Sequence, residues 1–228
     1  MSLYAISDLH LSFGNDKPMD IFGPKWYKHH DNIKANWKAN IREEDTVLIA
    51  GDISWSMKLE GSMQDLEYLN SLPGRKILVK GNHDYFWTSI TKLNSLYDNV
   101  NFIQNNSFLY EETAICGTRG WVVPGNASEF TEHDRKIYER EAIRLRNSLI
   151  EGEKMGGREF IAMTHYPPFN DKHEGNLLLD VLKEYNVKKC IYGHIHGEGI
   201  KSLKDQIDGI EFLLTSCDAI DFNPIKIK

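Results

Sequence analysis

No CxxC pair occurs in this chain, and its three cysteines, Cys116, Cys190 and Cys217, lie far apart. That spacing excludes the usual structural zinc site, and an odd count fits a disulfide framework poorly. The thiols read as buried and reduced, as expected of a cytoplasmic protein. A basic excess is missing too, since the formal net charge is −6. This weighs against a long nucleic-acid footprint, which draws on a basic stripe, but leaves room for a local polyanion where bound cations supply the charge. No apolar run approaches the roughly 20 residues of a membrane-spanning helix. No removable leader is expected, because a β-like segment starts at Leu3 and site-type residues follow it at once. No repeat, low-complexity tract or linker divides the 228 residues, and an apolar content of 41% suits one compact core. A single domain over residues 1–228 is therefore expected. Nothing in the composition reports an oligomeric state.

What the chain does have is alternation. Short Val/Ile/Leu-rich runs recur at Leu3–Ser7, Thr46–Ala50, Lys76–Lys80, Val100–Gln104, Ala114–Gly117, Glu159–Thr164, Lys189–Tyr192 and Glu211–Ser216, as expected of strands covered on both faces. Helical stripes lie between several of them. Ile33, Trp37 and Ile41 form one, with Asp31 as its cap. Leu59, Met63, Leu66 and Leu69 form another, stopped by Pro73-Gly74. Ile90, Leu93 and Tyr97 form a third, and Leu178, Val181, Leu182 and Tyr185, capped by Asn176, a fourth. The pattern predicts an α/β domain with helices on a mainly parallel or mixed sheet.

Polar residues of one kind follow these strands. Asp8 and His10 come after the first, Gly51-Asp52 after the second, and Gly81-Asn82-His83-Asp84 after the third. His165 follows the run at Glu159–Thr164, and Gly193-His194-Ile195-His196 the run at Lys189–Tyr192. Ligands in open α/β sheets bind beyond the carboxyl ends of strands. Five of the nine histidines fall in these five segments. Taken singly, each residue reads equally well as a turn or cap residue. Taken together, imidazole, carboxylate and amide donors without thiolate suit two divalent ions such as manganese, iron or zinc, with a carboxylate between them. Gly51, Gly81 and Gly193, each just ahead of a ligand, would permit unusual backbone angles and close approach.

The order DxH, GD, GNHD, a lone His and GHxH, complete between residues 8 and 196, resembles the calcineurin-like metallophosphoesterase superfamily. The resemblance implies a four-layer α/β/β/α sandwich, two mixed sheets flanked by helices, with a dinuclear centre of manganese, or of iron, zinc or nickel, at one end. It implies hydrolysis of a phosphomonoester or phosphodiester by metal-activated water. Asp8, His10 and His196 would hold one metal, Asn82, His165 and His194 the other, and Asp52 would bridge. His83 would touch the phosphate or protonate the departing oxygen, and Asp84 would accept from its imidazole and fix the tautomer. The implied partner is a small phosphorylated molecule. A nuclease, or a scaffold that keeps the fold for protein binding, are the alternatives.

Other residues admit two readings. Arg119, in Gly117-Thr118-Arg119-Gly120-Trp121, could clamp a substrate phosphate or pair with a surface acid. Trp55 could wall a leaving group or pack in the core. His29 and His30 read as solvated loop residues. Residues 119–158 are charge-dense, with Tyr138, Ala142, Leu145 and Leu149 on one helical face. They read as a solvated amphipathic helix or, more sharply, as a lid that selects substrate. The long connections, 11–40 and 119–158, are where substrate choice is expected to reside.

Overall fold

The computed structural model describes residues 1–125 and 129–228. Strands β1 (Leu3–Ile6), β2 (Thr46–Ile49), β3 (Arg75–Val79) and β4 (Val100–Ile103) run parallel, side by side, in the first sheet. Strands β5 (Phe108–Tyr110), β6 (Thr113–Thr118), β7 (Glu159–Thr164), β8 (Lys189–Tyr192), β9 (Lys204–Ile207) and β10 (Ile210–Leu214) make the second, in the spatial order β5-β6-β7-β8-β10-β9. Its four inner strands are parallel and its two edges antiparallel. The last strand, β11 (Ile225–Lys226), returns to pair antiparallel with β1. Both sheets are thus mixed.

Periodicity explains the layers. The central parallel strands carry apolar residues on both faces, because both faces are covered. Ala5, Leu48, Ile77 and Val79 of the first sheet meet Ile115, Ile161, Met163 and Ile191 of the second in a dry middle layer. On the outer face of the first sheet, Ile49 and Phe102 pack under Ile33 and Trp37 of α1 (His29–Asn40) and under Leu66 and Leu69 of α2 (Leu59–Asn70). After the single turn α3 (Ile90–Leu93), the remaining helices α4 (Glu132–Lys154) and α5 (Leu177–Glu184) cover the second sheet. There Tyr138, Leu145, Leu149, Leu178 and Leu182 close over Ala114, Cys116 and Phe212. Each fully buried Leu, Ile or Phe contributes about 1.5–3 kcal/mol. The four-layer sandwich is the architecture observed.

Several local expectations change. Asp31 lies in the first turn of α1, not at its cap; Lys28 holds that position with φ of 48° and no side-chain cap bond. A carboxylate in the first turn still favours the helix dipole. The stripe at Ile90 is one turn long, with Ser89 as cap, and leaves out Tyr97. Strands β5, β9 and β11 are absent from the sequence reading because they are short edge strands with little alternation. Most of 119–158 is architecture. A capping box at Thr131 and Asp134 opens α4, and its buried face forms the outer wall of the second sheet. Part of the expected lid, residues 126–128, lies outside the described residues. Among the described residues no helix is long and apolar enough to cross a membrane.

Candidate metal centre

The carboxyl ends of β1, β2 and β3 meet those of β7 and β8 along one edge of the sandwich. Backbone bonds stitch the sheets there: Ser7 N–H donates to Thr215 O at 2.7 Å, and Cys217 N–H to Ser7 O at 2.9 Å. The chain turns sharply past each strand. Asp8, His10, Asp52 and His194 take φ of 57°, 46°, 52° and 71°, the left-handed region that L residues avoid. Such backbone costs of order 1–3 kcal/mol per residue and persists only where its surroundings over-determine it. Here they do: Asp8 N–H donates to Gly51 O at 2.9 Å and His10 N–H to Asp52 O at 3.0 Å. Of the three glycines, only Gly51 uses positive φ, at 95°. Gly81 and Gly193 are small for space, since a Cβ on either would collide with the carboxylate of Asp52 or Asp8.

All seven residues expected as ligands converge. On one side Asp8 Oδ1 lies 3.3 Å from His196 Nε2. His10 stands beside them, and its Nε2 lies 3.8 Å from Asp52 Oδ2. On the other side Asn82 Oδ1 is 2.6 Å from His165 Nε2 and 2.9 Å from His194 Nδ1, and the two imidazole nitrogens are 3.2 Å apart. Asp52 Oδ2 lies between the groups, 3.4 Å from His165 Nε2.

The contacts of His165 Nε2 are not ordinary hydrogen bonds. His165 Nδ1 sits 3.0 Å from the Ala50 carbonyl, which can only accept, so the ring proton is on Nδ1 and Nε2 presents a bare lone pair. That lone pair faces an amide oxygen and a carboxylate oxygen. Burial favours the neutral ring of His196, but Asp218 Oδ1 at 2.7 Å from Nδ1 and Asp8 Oδ1 at 3.3 Å from Nε2 push its pKa up to about 10, so its Nε2 carries a proton that a cation would displace. Charge is unbalanced as well. Burial pushes His10 and His165 down to about 3, so neither ring neutralises a carboxylate. Burial, then Asp84 and Asp8, push Asp52 well above the usual carboxylate range. Burial opposes ionisation of Asp8 too, but the His196 hydrogen bond and the surrounding imidazoles hold it low. Lone pairs and carboxylates focused on two points, with nitrogen and oxygen donors only, are a set that divalent cations fit.

Around the ligands the expectations divide. His83 reaches the site: its N–H donates to Asp52 Oδ1 at 2.8 Å and its ring lies 4.3 Å from that of Trp55. Burial and the nearby Lys17 push its pKa down. Asp84 does not hold the His83 imidazole. Its buried carboxylate accepts from the backbone N–H groups of Asp52, Ile53, Ser54 and Gly81 at 2.7–3.1 Å. Four amides saturate a carboxylate, and His83 points the other way, so Asp84 fastens two loops rather than fixing a tautomer. Arg119 points away from the ligand set. It lies 3.7 Å from buried Glu141 and over the Trp121 ring at 4.5 Å, while its carbonyl receives the N–H of His165 at 2.9 Å. His29 is buried, not solvated, with Nε2 2.8 Å from Leu9 O, and so braces the turn between Asp8 and His10. Trp55 stacks on His10 at 4.9 Å and belongs to the site wall.

Asp218 escaped the sequence reading. It also follows a strand, β10, and the post-strand rule that finds Asp8 and Asp52 points to it, although no motif contains it. A cavity of about 420 Å³ opens over the cluster. His83, His194 and His196 line it together with Met19, Phe22 and Trp26 from the connection before α1.

Comparison with known proteins follows the same lines. A family model described as calcineurin-like phosphoesterase matches residues 1–198. The gene 66 protein of Mycobacterium phage L5 is 36% identical over 80 residues, which is 34% of this chain and 37% of that protein, so the match spans well under half of the relative's length. A solved structure from Thermus thermophilus superposes with a TM-score of 0.58 at 10% identity, covering 99% of this chain and 97% of the other. Phosphopantetheinyl hydrolase of Mycobacterium tuberculosis gives 0.55 at 16%, covering 94% and 88%. At such identities the superpositions speak for the fold alone.

Proposed function

The chain belongs to the calcineurin-like phosphoesterase family, and from that premise we propose that it is a dinuclear, metal-dependent hydrolase of a phosphomonoester or phosphodiester. One observation carries this reading: the bare Nε2 of His165 aimed at Asn82 Oδ1 and Asp52 Oδ2, with His194 Nδ1 beside it. In this reading Asp8, His10 and His196 hold one cation, Asn82, His165 and His194 hold the other, and Asp52 serves both. Manganese is the first choice, with iron, zinc or nickel as alternatives. Such cations supply Lewis acidity and offset the negative charge of the phosphate.

The protein's own groups do the rest. Asp84 sets the Asp52 and Gly81 loops at a fixed separation. Asp218 holds Nδ1–H of His196, so that Nε2 is the nitrogen a cation would take in exchange for its proton. His83, projecting beside Trp55 into the cavity, is placed to hydrogen-bond a phosphate oxygen or hand a proton to the departing one. Residues 1–228 act as one domain, because the middle apolar layer is shared by both sheets. Protein loaded with manganese is expected to carry close to two ions and to cleave a chromogenic phosphoester. His83→Ala should lower turnover by about 10²–10⁴-fold with both ions retained. Undiminished turnover in that variant would overturn the role of His83, and a metal-free, inactive wild type would overturn the whole reading.

A further inference from the structure

The cavity over the metal centre has an uneven lining. Trp55, which stacks on His10, is bridged to Met19 by an indole N–H to sulfur contact of 3.2 Å. Trp26 is buried, its ring 5.9 Å from that of His196. Phe22, at the end of the short 3-10 turn Met19–Phe22, lines the same cavity yet is 62% exposed, and its neighbour Ile21 is 74% exposed. The apolar wall therefore runs continuously from the ligand histidines out to the surface.

Among the described residues that line this cavity there is no hydroxyl, amide or guanidinium side chain. The acceptors of Asp218 are already engaged by His196 and by the Gly197 N–H at 3.0 Å, and Lys25 Nζ donates to Asp218 O at 2.8 Å. Against Met19, Phe22 and Trp26 a ribose, glycerol or hexose would find only the remaining donors of the Lys25 ammonium, leaving most of its hydroxyls without protein partners, which a site rejects far more strongly than it rejects a missing methylene. An alkyl or aryl group would lose nothing and gain apolar burial.

We propose that the substrate is a phosphoester whose ester oxygen carries an alkyl or aryl group, seated against Met19, Phe22 and Trp26. This rests on the phosphoesterase reading above and names the substrate class within it. The cavity volume, near the lower end of ligand pockets, suits a group of about six to ten carbons.

The test uses binding as well as turnover. Methylphosphonate, hexylphosphonate, phenylphosphonate and 2,3-dihydroxypropylphosphonate are titrated calorimetrically into the full chain loaded with manganese. The matching phosphate esters are assayed in parallel. Hexyl- and phenylphosphonate are expected to bind at least about tenfold tighter than the dihydroxypropyl compound, with up to about fourfold gained per methylene until the cavity fills. Phe22→Ser, at a largely exposed position, should remove most of that preference, and Phe22→Leu should keep it. Equal affinity for apolar and polar phosphonates, binding of none of them, or an unaltered preference in Phe22→Ser overturns the proposal. Hydrolysis of every ester with equal kcat/KM defeats the substrate class alone. Retained apolar preference without hydrolysis of any ester defeats the phosphoesterase reading and leaves the apolar site standing.

Discussion

The two halves of the candidate centre are built differently. The half around Asp8, His10 and His196 is braced from behind. Asp8 Oδ2 accepts the Ser216 hydroxyl at 2.9 Å, Asp8 also receives the His194 N–H, and Asp218 grips His196. The half around Asn82, His165 and His194 contains no carboxylate of its own and borrows Asp52. Its brace is largely main chain, the Ala50 and Arg119 carbonyls on His165, with the Tyr166 ring 4.1 Å from that of His194. The contrast teaches that one position is set by negative charge and the other by shape. A cation at the first position should be held more tightly, because a private carboxylate and a carboxylate-polarised imidazole both raise affinity for a divalent ion.

Substitutions can break that contrast or sharpen it. The largest effect is expected at the shared residue: Asp52→Asn should lower turnover by at least about 10²-fold, and elemental analysis should show both ions weakened. Wild-type turnover with two ions retained would remove Asp52 from between the halves. Next comes Asp84→Ala, which strands up to four buried amides and should cost about 3 kcal/mol of stability in urea unfolding. A loss under 1 kcal/mol would mean that water replaces the carboxylate with little penalty. Asp218→Asn should weaken one ion only, by about 10–100-fold, so that manganese titration becomes distinctly two-step. Equal weakening of both ions would erase the asymmetry. The smallest effect is expected for Arg119→Lys, which keeps the charge beside Glu141 and should leave KM within about twofold, because Arg119 faces that carboxylate and not the cavity. A KM rise of tenfold would restore it as a phosphate clamp.

Much of this is legible in the amino-acid sequence. The five strand-end segments were visible because metal-type side chains recur at the same place after successive strands, so the spatial gathering of Asp8, Asp52 and His194 could be anticipated from order alone. The layers followed from apolar runs at β2 and β7 and from stripes such as Leu178, Val181 and Leu182. Hydrogen-bond partners were less legible. Asp84 sits beside His83 in sequence, and adjacency suggested a pair, yet neighbouring side chains past a strand point apart, and three main-chain amides from the Asp52 loop, with that of Gly81 from its own, claimed the carboxylate. Asp218 lay outside every motif because its partner, His196, is 22 residues away. The apolar cavity wall was illegible for a different reason. Met19, Phe22 and Trp26 lie in short 3-10 turns, which have no periodicity to read. Charge density in 119–158 drew attention to a helix whose buried face was its main business.

The four amides gathered by Asp84 have a consequence for how the centre is assembled. Because one protein carboxylate already ties the Asp52 turn to the Gly81 turn, the cage is a template that precedes its cargo. Chelation should therefore strip the ions without melting the loops, and added manganese should restore them at the speed of diffusion and dehydration, with no refolding step in between.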